Sequence, residues 1–301
     1  MRIFLYFLFL ISTSVLAQTT ELVIPYSSGG PSDIFARHVQ RYLTKELNRN
    51  IVAVNKPGAE GRIGISYFQQ RAESPALIVA ATGPFVFNRV QYQTLNYDVR
   101  DFELVAPIIT MPIVIAVNNR STIRNLKDFV AAAQTRNLAC GVSAASSMFA
   151  AKYIKQSLRL DRLTIVPYKG VGDILVAVMG DNLDCIIDAG FASAHVDGRV
   201  RIIASADDVQ DPAIGTVDLL KTVIPGYTQF NWWGIAWSRN SNVDWRSVLT
   251  RLHRDTEFME SMRQLHYQVV SPSKNPAVFL SQEYERYERM RVSLAIDKEN
   301  Q

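Results

Sequence analysis

A chain of 301 residues with 48% hydrophobic and 20% charged side chains can bury either one large core or the cores of two lobes. Its formal net charge is +4, and the basic residues are scattered rather than run together or interleaved with aromatics, which argues against a nucleic-acid partner. The four histidines show no metal-ligand spacing and stand beside neither cysteine nor paired carboxylates, so no metal and no cofactor is expected.

The first 17 residues read as an export signal. Arg2 precedes nine apolar or aromatic residues, 3–11, and then Ser12-Thr13-Ser14-Val15-Leu16-Ala17, with Val15 and Ala17 at the −3 and −1 positions of a cleavage site. Cleavage after Ala17 is expected, because the run is too short to span a bilayer. No later segment reaches the roughly 18 uninterrupted apolar residues that a spanning helix needs. Removing residues 1–17 takes away one basic residue and no acidic one, leaving +3. No cysteine stands just after the cleavage point, so a lipid anchor there is not expected, and the mature protein is expected to be soluble and exported.

The first element beyond the signal is an apolar run at 22–24, followed by Pro25-Tyr26-Ser27-Ser28-Gly29-Gly30-Pro31-Ser32-Asp33 and a helical pattern carried by Ile34, Phe35, Val39, Tyr42, Leu43 and Leu47. Pro31 suits the first helical position, Asp33 falls in the first turn, and Gly29 and Gly30 let backbone N–H groups approach a ligand. This turn is either a cup for a carboxylate or phosphate at the positive end of a helix, or a capped strand-to-helix turn with no ligand. A strand at 51–54, the loop 55–62, a helix at 63–71 and a strand at 76–80 ending in Thr82-Gly83-Pro84 follow. Within that loop, Gly58-Ala59-Glu60-Gly61 lacks the remaining glycine of a dinucleotide fingerprint.

Extended, β-branched runs at 104–109 and 113–117 open a second series, with a helix at 126–134. A strand at 138–143 runs into Ser143-Ala144-Ala145-Ser146-Ser147 and a helix. A strand at 163–166 ends in Pro167-Tyr168-Lys169-Gly170 before another helix, and one at 183–187 ends in Asp188-Ala189-Gly190 before a last strand at 201–204. Short strands alternating with helices predict an α/β protein with largely parallel sheets, and two such series predict two lobes around a cleft. Lys169 either pairs with an anionic ligand or is solvated; Asp188 either accepts from a ligand ammonium or hydroxyl, or caps the next helix. Cys140 and Cys185 each lie within a strand and pair only if those strands are neighbours with Cα atoms within about 7 Å; otherwise they are buried thiols.

Beyond Pro225 the aromatic strand Trp232-Trp233-Gly234-Ile235-Ala236-Trp237 precedes helices at 243–254, 257–264 and from 276 onward. Its tryptophans serve core or hinge packing, or stack on a ligand. Gly141-Val142-Ser143 matches the first three positions of a nucleophile elbow, but alanine replaces the final glycine, and a serine hydrolase would also need a histidine and an acidic partner. No Walker loop occurs and no catalytic set assembles, so an enzyme is not expected.

Five segments in order, namely 23–33, Val54-Asn55-Lys56-Pro57-Gly58-Ala59-Glu60-Gly61-Arg62-Ile63-Gly64, Tyr97-Asp98-Val99-Arg100-Asp101-Phe102, Val166-Pro167-Tyr168-Lys169-Gly170 and Trp233-Gly234, give the chain its family likeness. It resembles the extracytoplasmic solute receptors of the tripartite tricarboxylate transporter system, the Bug family. The resemblance implies a two-lobed α/β periplasmic binding protein of type II, a Venus flytrap with a mostly parallel sheet in each lobe. Residues 18–108 plus 225–301 would form lobe 1 and 109–224 lobe 2, with hinge crossovers near 104–117 and 222–232.

The implied ligand is a small carboxylate solute: a di- or tricarboxylate, an amino acid or an aromatic acid. It would meet Tyr26, Ser27, Ser28, Gly29, Gly30, Ser32 and Asp33 from the first turn. Thr82 and Gly83, Ser143, Ser146 and Ser147, Tyr168, Lys169 and Gly170, and Asp188 and Ala189 would complete the cleft. The implied partner is a membrane transporter, and the receptor is expected to be a monomer. Alternatives are a sensory subunit serving a membrane kinase and a secreted serine hydrolase using Ser143. One departure stands out: the family's second-lobe loop is glycine-rich and followed by histidine, whereas Ser143-Ala144-Ala145-Ser146-Ser147-Met148-Phe149 is shorter and has neither. That implies a narrower or more apolar second-lobe wall.

Overall fold

Three apolar strands, each leading into a helix, build the centre of the first sheet. The computed structural model describes residues 19–71, 76–208 and 212–299, so the export segment 1–17 lies outside the described residues. Strand β1 (Thr20–Ile24) leads to helix α1 (Pro31–Leu47), β2 (Ile51–Asn55) to α2 (Arg62–Gln69), and β3 (Ala76–Ala81) to a π-helical turn, Gly83–Phe87, and the short α3 (Asn88–Gln91). Helix α1 starts with proline at its first turn and ends at Asn48 in the left-handed region. Its apolar stripe of Phe35, Ala36, Val39, Tyr42 and Leu43 is buried against the sheet.

The long β4 (Phe102–Pro112) and β5 (Val114–Asn118) follow, then α4 (Leu126–Thr135), β6 (Leu138–Val142), α5 (Ala145–Ser157), β7 (Leu163–Pro167), α6 (Val171–Met179) and β8 (Cys185–Asp188). After them come α7 (Ala192–Val196), β9 (Val200–Ser205), β10 (Asp218–Leu219), β11 (Phe230–Ser238), α8 (Trp245–Thr250), α9 (Thr256–Gln264), β12 (Gln268–Val269) and α10 (Pro276–Ser293).

The strands form two six-stranded sheets, in the orders β12-β4-β11-β3-β1-β2 and β10-β9-β5-β8-β6-β7. This is the expected two-lobed α/β architecture, with one refinement: both sheets are mixed, the second keeping a parallel majority of three pairings in five and the first having two in five. Every antiparallel pairing involves β4, β5 or β11. Alternation of strand and helix predicts parallel pairing only for strands joined by a helix within one sheet. Those three strands flank the passages from one sheet to the other, so they obey no such rule.

The outward passage is a single residue, Ile113, between β4 and β5; the return runs between β10 and β11. At this waist three backbone bonds close a ring: Ala206 donates to Ile113 (2.8 Å), Ile113 to Gln229 (3.1 Å) and Gln229 to Ala206 (2.9 Å). The tryptophans of β11 are buried in the first sheet, with Trp232 edge-on to Phe85 and Phe279. In the second sheet Cys140 and Cys185 stand directly opposite on parallel β6 and β8, 4.4 Å apart at Cα, and are joined by a disulfide.

Candidate functional site

The turn after β1 is held from inside by one carboxylate. Asp33, in the first turn of α1, is buried, and its Oδ2 accepts from the Gly29 amide and from Arg37 Nε, both at 2.9 Å. Its Oδ1 accepts from Asn55 Nδ2, also 2.9 Å, and the same amide group donates to the Tyr26 carbonyl at 3.1 Å. Burial pushes the Asp33 carboxyl up, but the bonds from Arg37, Gly29 and Asn55 outweigh it and hold the group below its ordinary range. Gly29 takes φ 81, a conformation that suits glycine and lets its N–H turn back to Asp33.

Asp33 thus orders the turn, while Ser27, Ser28 and Gly29 form its exposed lip. Ser32 lies beneath and accepts from Trp233 Nε1 at 2.6 Å. Tyr26 packs its hydroxyl over Gly83, where a Cβ would stand only 2.8 Å away. Thr82, buried at the end of β3, accepts the Trp232 amide at 2.9 Å through its hydroxyl. The loops after β1, β2 and β3 therefore gather at the carboxyl edge of three parallel strands, where ligands bind in open α/β sheets.

On the second sheet the turn from β6 to α5 has the same strand-to-helix plan. Asp188, at the end of neighbouring β8, is buried and collects four donors: the Ser143 amide and hydroxyl on Oδ2, and the Ser147 hydroxyl and Ala189 amide on Oδ1. Burial is the largest influence on this carboxyl and raises it despite those donors. Of the two expected roles, Asp188 caps no following helix; it accepts hydroxyls, but those of this chain's own serines. Tyr168 is half-buried, Lys169 is exposed, and Gly170 begins α6 in extended conformation.

The two loop sets are brought together beside the waist. Phe149 of α5 meets Phe87 of the π-helical turn edge-on, ring centroids 5.3 Å apart. The fully buried Gln229 donates to the Ser146 carbonyl at 3.0 Å. As for chemistry, the Ser143 hydroxyl donates straight to a carboxylate with no histidine between, which is not the serine–histidine–aspartate arrangement. Among the described residues no group of three or more His, Cys, Asp or Glu side chains could hold a metal ion.

Three bonds escaped the sequence reading, those of Asn55, Trp233 and Gln229 to partners 22 to 201 residues away. Glu60 sits in the β2–α2 loop within a run of four left-handed residues, Gly58 (φ 122), Ala59 (φ 48), Glu60 (φ 53) and Gly61 (φ 84).

Against known proteins, a family model described as "Tripartite tricarboxylate transporter family receptor" matches residues 35–290. Among curated relatives, a UPF0065 protein of Bordetella bronchiseptica is 26% identical over 217 residues; the match spans 70% of this chain and 64%, just under two thirds, of that protein. Among solved structures, R. palustris Rpa4515 with adipate has a TM-score of 0.82 at 22% identity, covering 93% of this chain and 98% of that one. The periplasmic binding protein BugD has a TM-score of 0.77 at 20% identity, covering 93% and 99%.

Proposed function

This chain belongs to the tripartite tricarboxylate transporter receptor family, a family of periplasmic solute-binding proteins, and from that membership we propose that it captures a small carboxylate between its two sheets and hands it to a membrane transporter. The observation that carries the reading is the turn after β1. Its exposed serines and glycine sit at the N-terminus of a 17-residue helix and are fixed by the bonds from Gly29, Arg37 and Asn55 to Asp33. Backbone donors, hydroxyls and a helix dipole all favour a ligand carboxylate there. Adipate, the ligand of the solved neighbour named above, is of that chemistry.

Each sheet with its helices forms one lobe of the trap, and closure turns about the waist at Ile113, Ala206 and Gln229. The bound solute favours the closed state because loops of both lobes touch it. Thermal unfolding tests this reading directly. A carboxylate at about a hundred times its Kd should stabilise the folded chain by roughly 2.7 kcal/mol, and Asp33→Ala should abolish most of that shift. Indole fluorescence from Trp233, bonded to Ser32 beneath the turn, gives a second readout. If no mono-, di- or tricarboxylate or amino acid moves either signal, the reading fails.

A further inference from the structure

Resting on that reading, one side chain of β11, the strand that returns to the first sheet, bears on which carboxylate the cleft accepts. Successive residues of a strand point to opposite faces of its sheet. Phe230 and Trp232 face α10: the Arg286 guanidinium lies 4.7 Å from the Phe230 ring centroid, and Trp232 meets Phe279 edge-on at 5.1 Å. Asn231 and Trp233 therefore face the other way, where Trp233 donates to the Ser32 hydroxyl in the first turn of α1. Two residues before Asn231, the Gln229 side chain reaches the Ser146 carbonyl in the first turn of α5. Asn231 thus stands midway between the residues that tie this strand to the two strand-to-helix turns.

Its neighbours also come from both lobes. Across the sheet it is paired with Met111 of β4, so the two side chains share one face. Met111 reaches the second lobe, since a Cβ on Gly190, in the loop after β8, would lie 3.8 Å from its sulfur. On the other flank the Trp232 amide meets the Thr82 hydroxyl, so Asn231 lies just past that bond, where β3 turns away at Gly83 under the Tyr26 hydroxyl.

Gln229, Ser32 and Thr82 all have hydrogen-bond partners, but Asn231 Oδ1 is shut off from water and accepts from nothing. The Trp232 indole N–H is unpartnered as well, but it belongs to the α10 face, turned from both loops. A buried acceptor without a donor is costly until something supplies one. The residue as a whole is half-buried, and opening about the waist draws the Gly190 loop off Met111 and uncovers the amide beside it.

We propose that Asn231 selects the solute by bonding a hydroxyl carried on its carbon chain, while the carboxylate meets residues 27–33. A hydroxyl both donates and accepts, so it satisfies the amide whichever end faces the cleft, whereas an ammonium only donates and a ketone only accepts. The buried carboxylates that would draw an ammonium, Asp33 and Asp188, already hold donors of this chain on both oxygens. An acid with hydrogen in place of the hydroxyl leaves the amide unmatched when the lobes close over it.

Acids that differ by one hydroxyl test this: succinate against malate, glutarate against 2-hydroxyglutarate, and butanoate against 3-hydroxybutanoate, by calorimetry and thermal shift. The natural chain should prefer the hydroxy acid of a pair by roughly ten- to a hundredfold. Asn231→Leu, of similar bulk, should bring that ratio close to one, weakening the hydroxy acid and binding the plain acid no worse. Because Oδ1 has no bond to lose, this variant without solute should unfold at or above the natural midpoint. Asn231→Ala adds no bulk and guards against a folding defect; its ratio should also be close to one. No preference in the natural chain, or the same preference in the folded variants, overturns the role of Asn231 and leaves carboxylate capture standing. If none of the six acids binds the natural chain, this selection falls; if tricarboxylates, aromatic acids and amino acids fail as well, the carboxylate reading falls with it.

Discussion

Ser143 and Asp188 tie the ends of two neighbouring strands together: both the amide and the hydroxyl of Ser143 donate to the same carboxylate oxygen of Asp188, while Ser147 and Ala189 occupy the other. Each oxygen thus holds one backbone amide and one hydroxyl. Hydroxyls can reverse their role and accept, but amides cannot. In Asp188→Asn, either orientation of the side-chain amide points an NH2 at a backbone N–H. One buried donor is then orphaned, at a cost of about 1–3 kcal/mol. Urea unfolding at neutral pH should show that loss, with Asp188→Ala losing more.

The two buried aspartates should respond to acid in opposite senses. Asp33 is held below its ordinary range, so its contribution is present above the unfolded value of about 3.9 and is lost as pH falls through the folded value. Asp188 is raised by burial, so its contribution is full below about 3.9 and is lost as pH rises through the folded value. Asp33→Asn should therefore flatten the acid limb of the stability curve, and Asp188→Asn should steepen it. Denaturant midpoints measured from pH 3 to 7 distinguish the two; parallel curves for all three proteins would contradict both assignments.

What could be read in the sequence was what a few neighbouring residues decide. Pro31 and Asp33 marked the start of α1, and the runs at 22–24 and 76–80 marked buried parallel strands. Facts set by register across the chain were out of reach. Nothing near Asp33 announces Asn55, nothing near Ser32 announces Trp233, and antiparallel β11 is invisible to a rule about helix-linked strands. Asp188 shows the limit most sharply. Two candidate roles could be assigned to it, but beside its neighbour Ala189 its actual partners are Ser143, just after β6, and Ser147 on α5, 45 and 41 residues away.

The disulfide should matter both to the fold and to the site. Cys140 lies three residues before Ser143 and Cys185 three before Asp188, so the bridge fastens the two strands whose ends meet in that hydrogen-bonded turn. With the cysteines 45 residues apart in sequence, closing the loop between them contributes about 4 kcal/mol. Replacing both by alanine should lower stability by roughly that amount under oxidising conditions. Dithiothreitol should lower the midpoint of the natural chain and leave that of the double variant unchanged. Equal sensitivity of the two proteins to reductant would show that the bridge contributes nothing.

Gln229 joins the waist to the second-lobe side of the site. Its side chain donates to the Ser146 carbonyl and accepts from the Tyr227 hydroxyl at 2.7 Å, while its backbone completes the ring with Ile113 and Ala206. Gln229→Leu keeps the backbone ring and similar bulk but strips the side-chain bonds, leaving the buried Tyr227 hydroxyl without its acceptor, while the Ser146 carbonyl keeps its place in the helical ladder of α5. The loss should be about 1–3 kcal/mol, the cost of one orphaned buried hydroxyl. A second effect separates a hinge role from simple packing. Ser146 lies in the first turn of α5, beside Ser147 and the Asp188 cluster, so cutting its bond to the waist frees that turn to move away from the first lobe. Small-angle scattering of the ligand-free variant should give a larger radius of gyration than the natural chain, and a saturating solute should bring the two values together. If unfolding shows the expected loss while both proteins scatter alike, Gln229 supports the core without setting the balance between open and closed lobes.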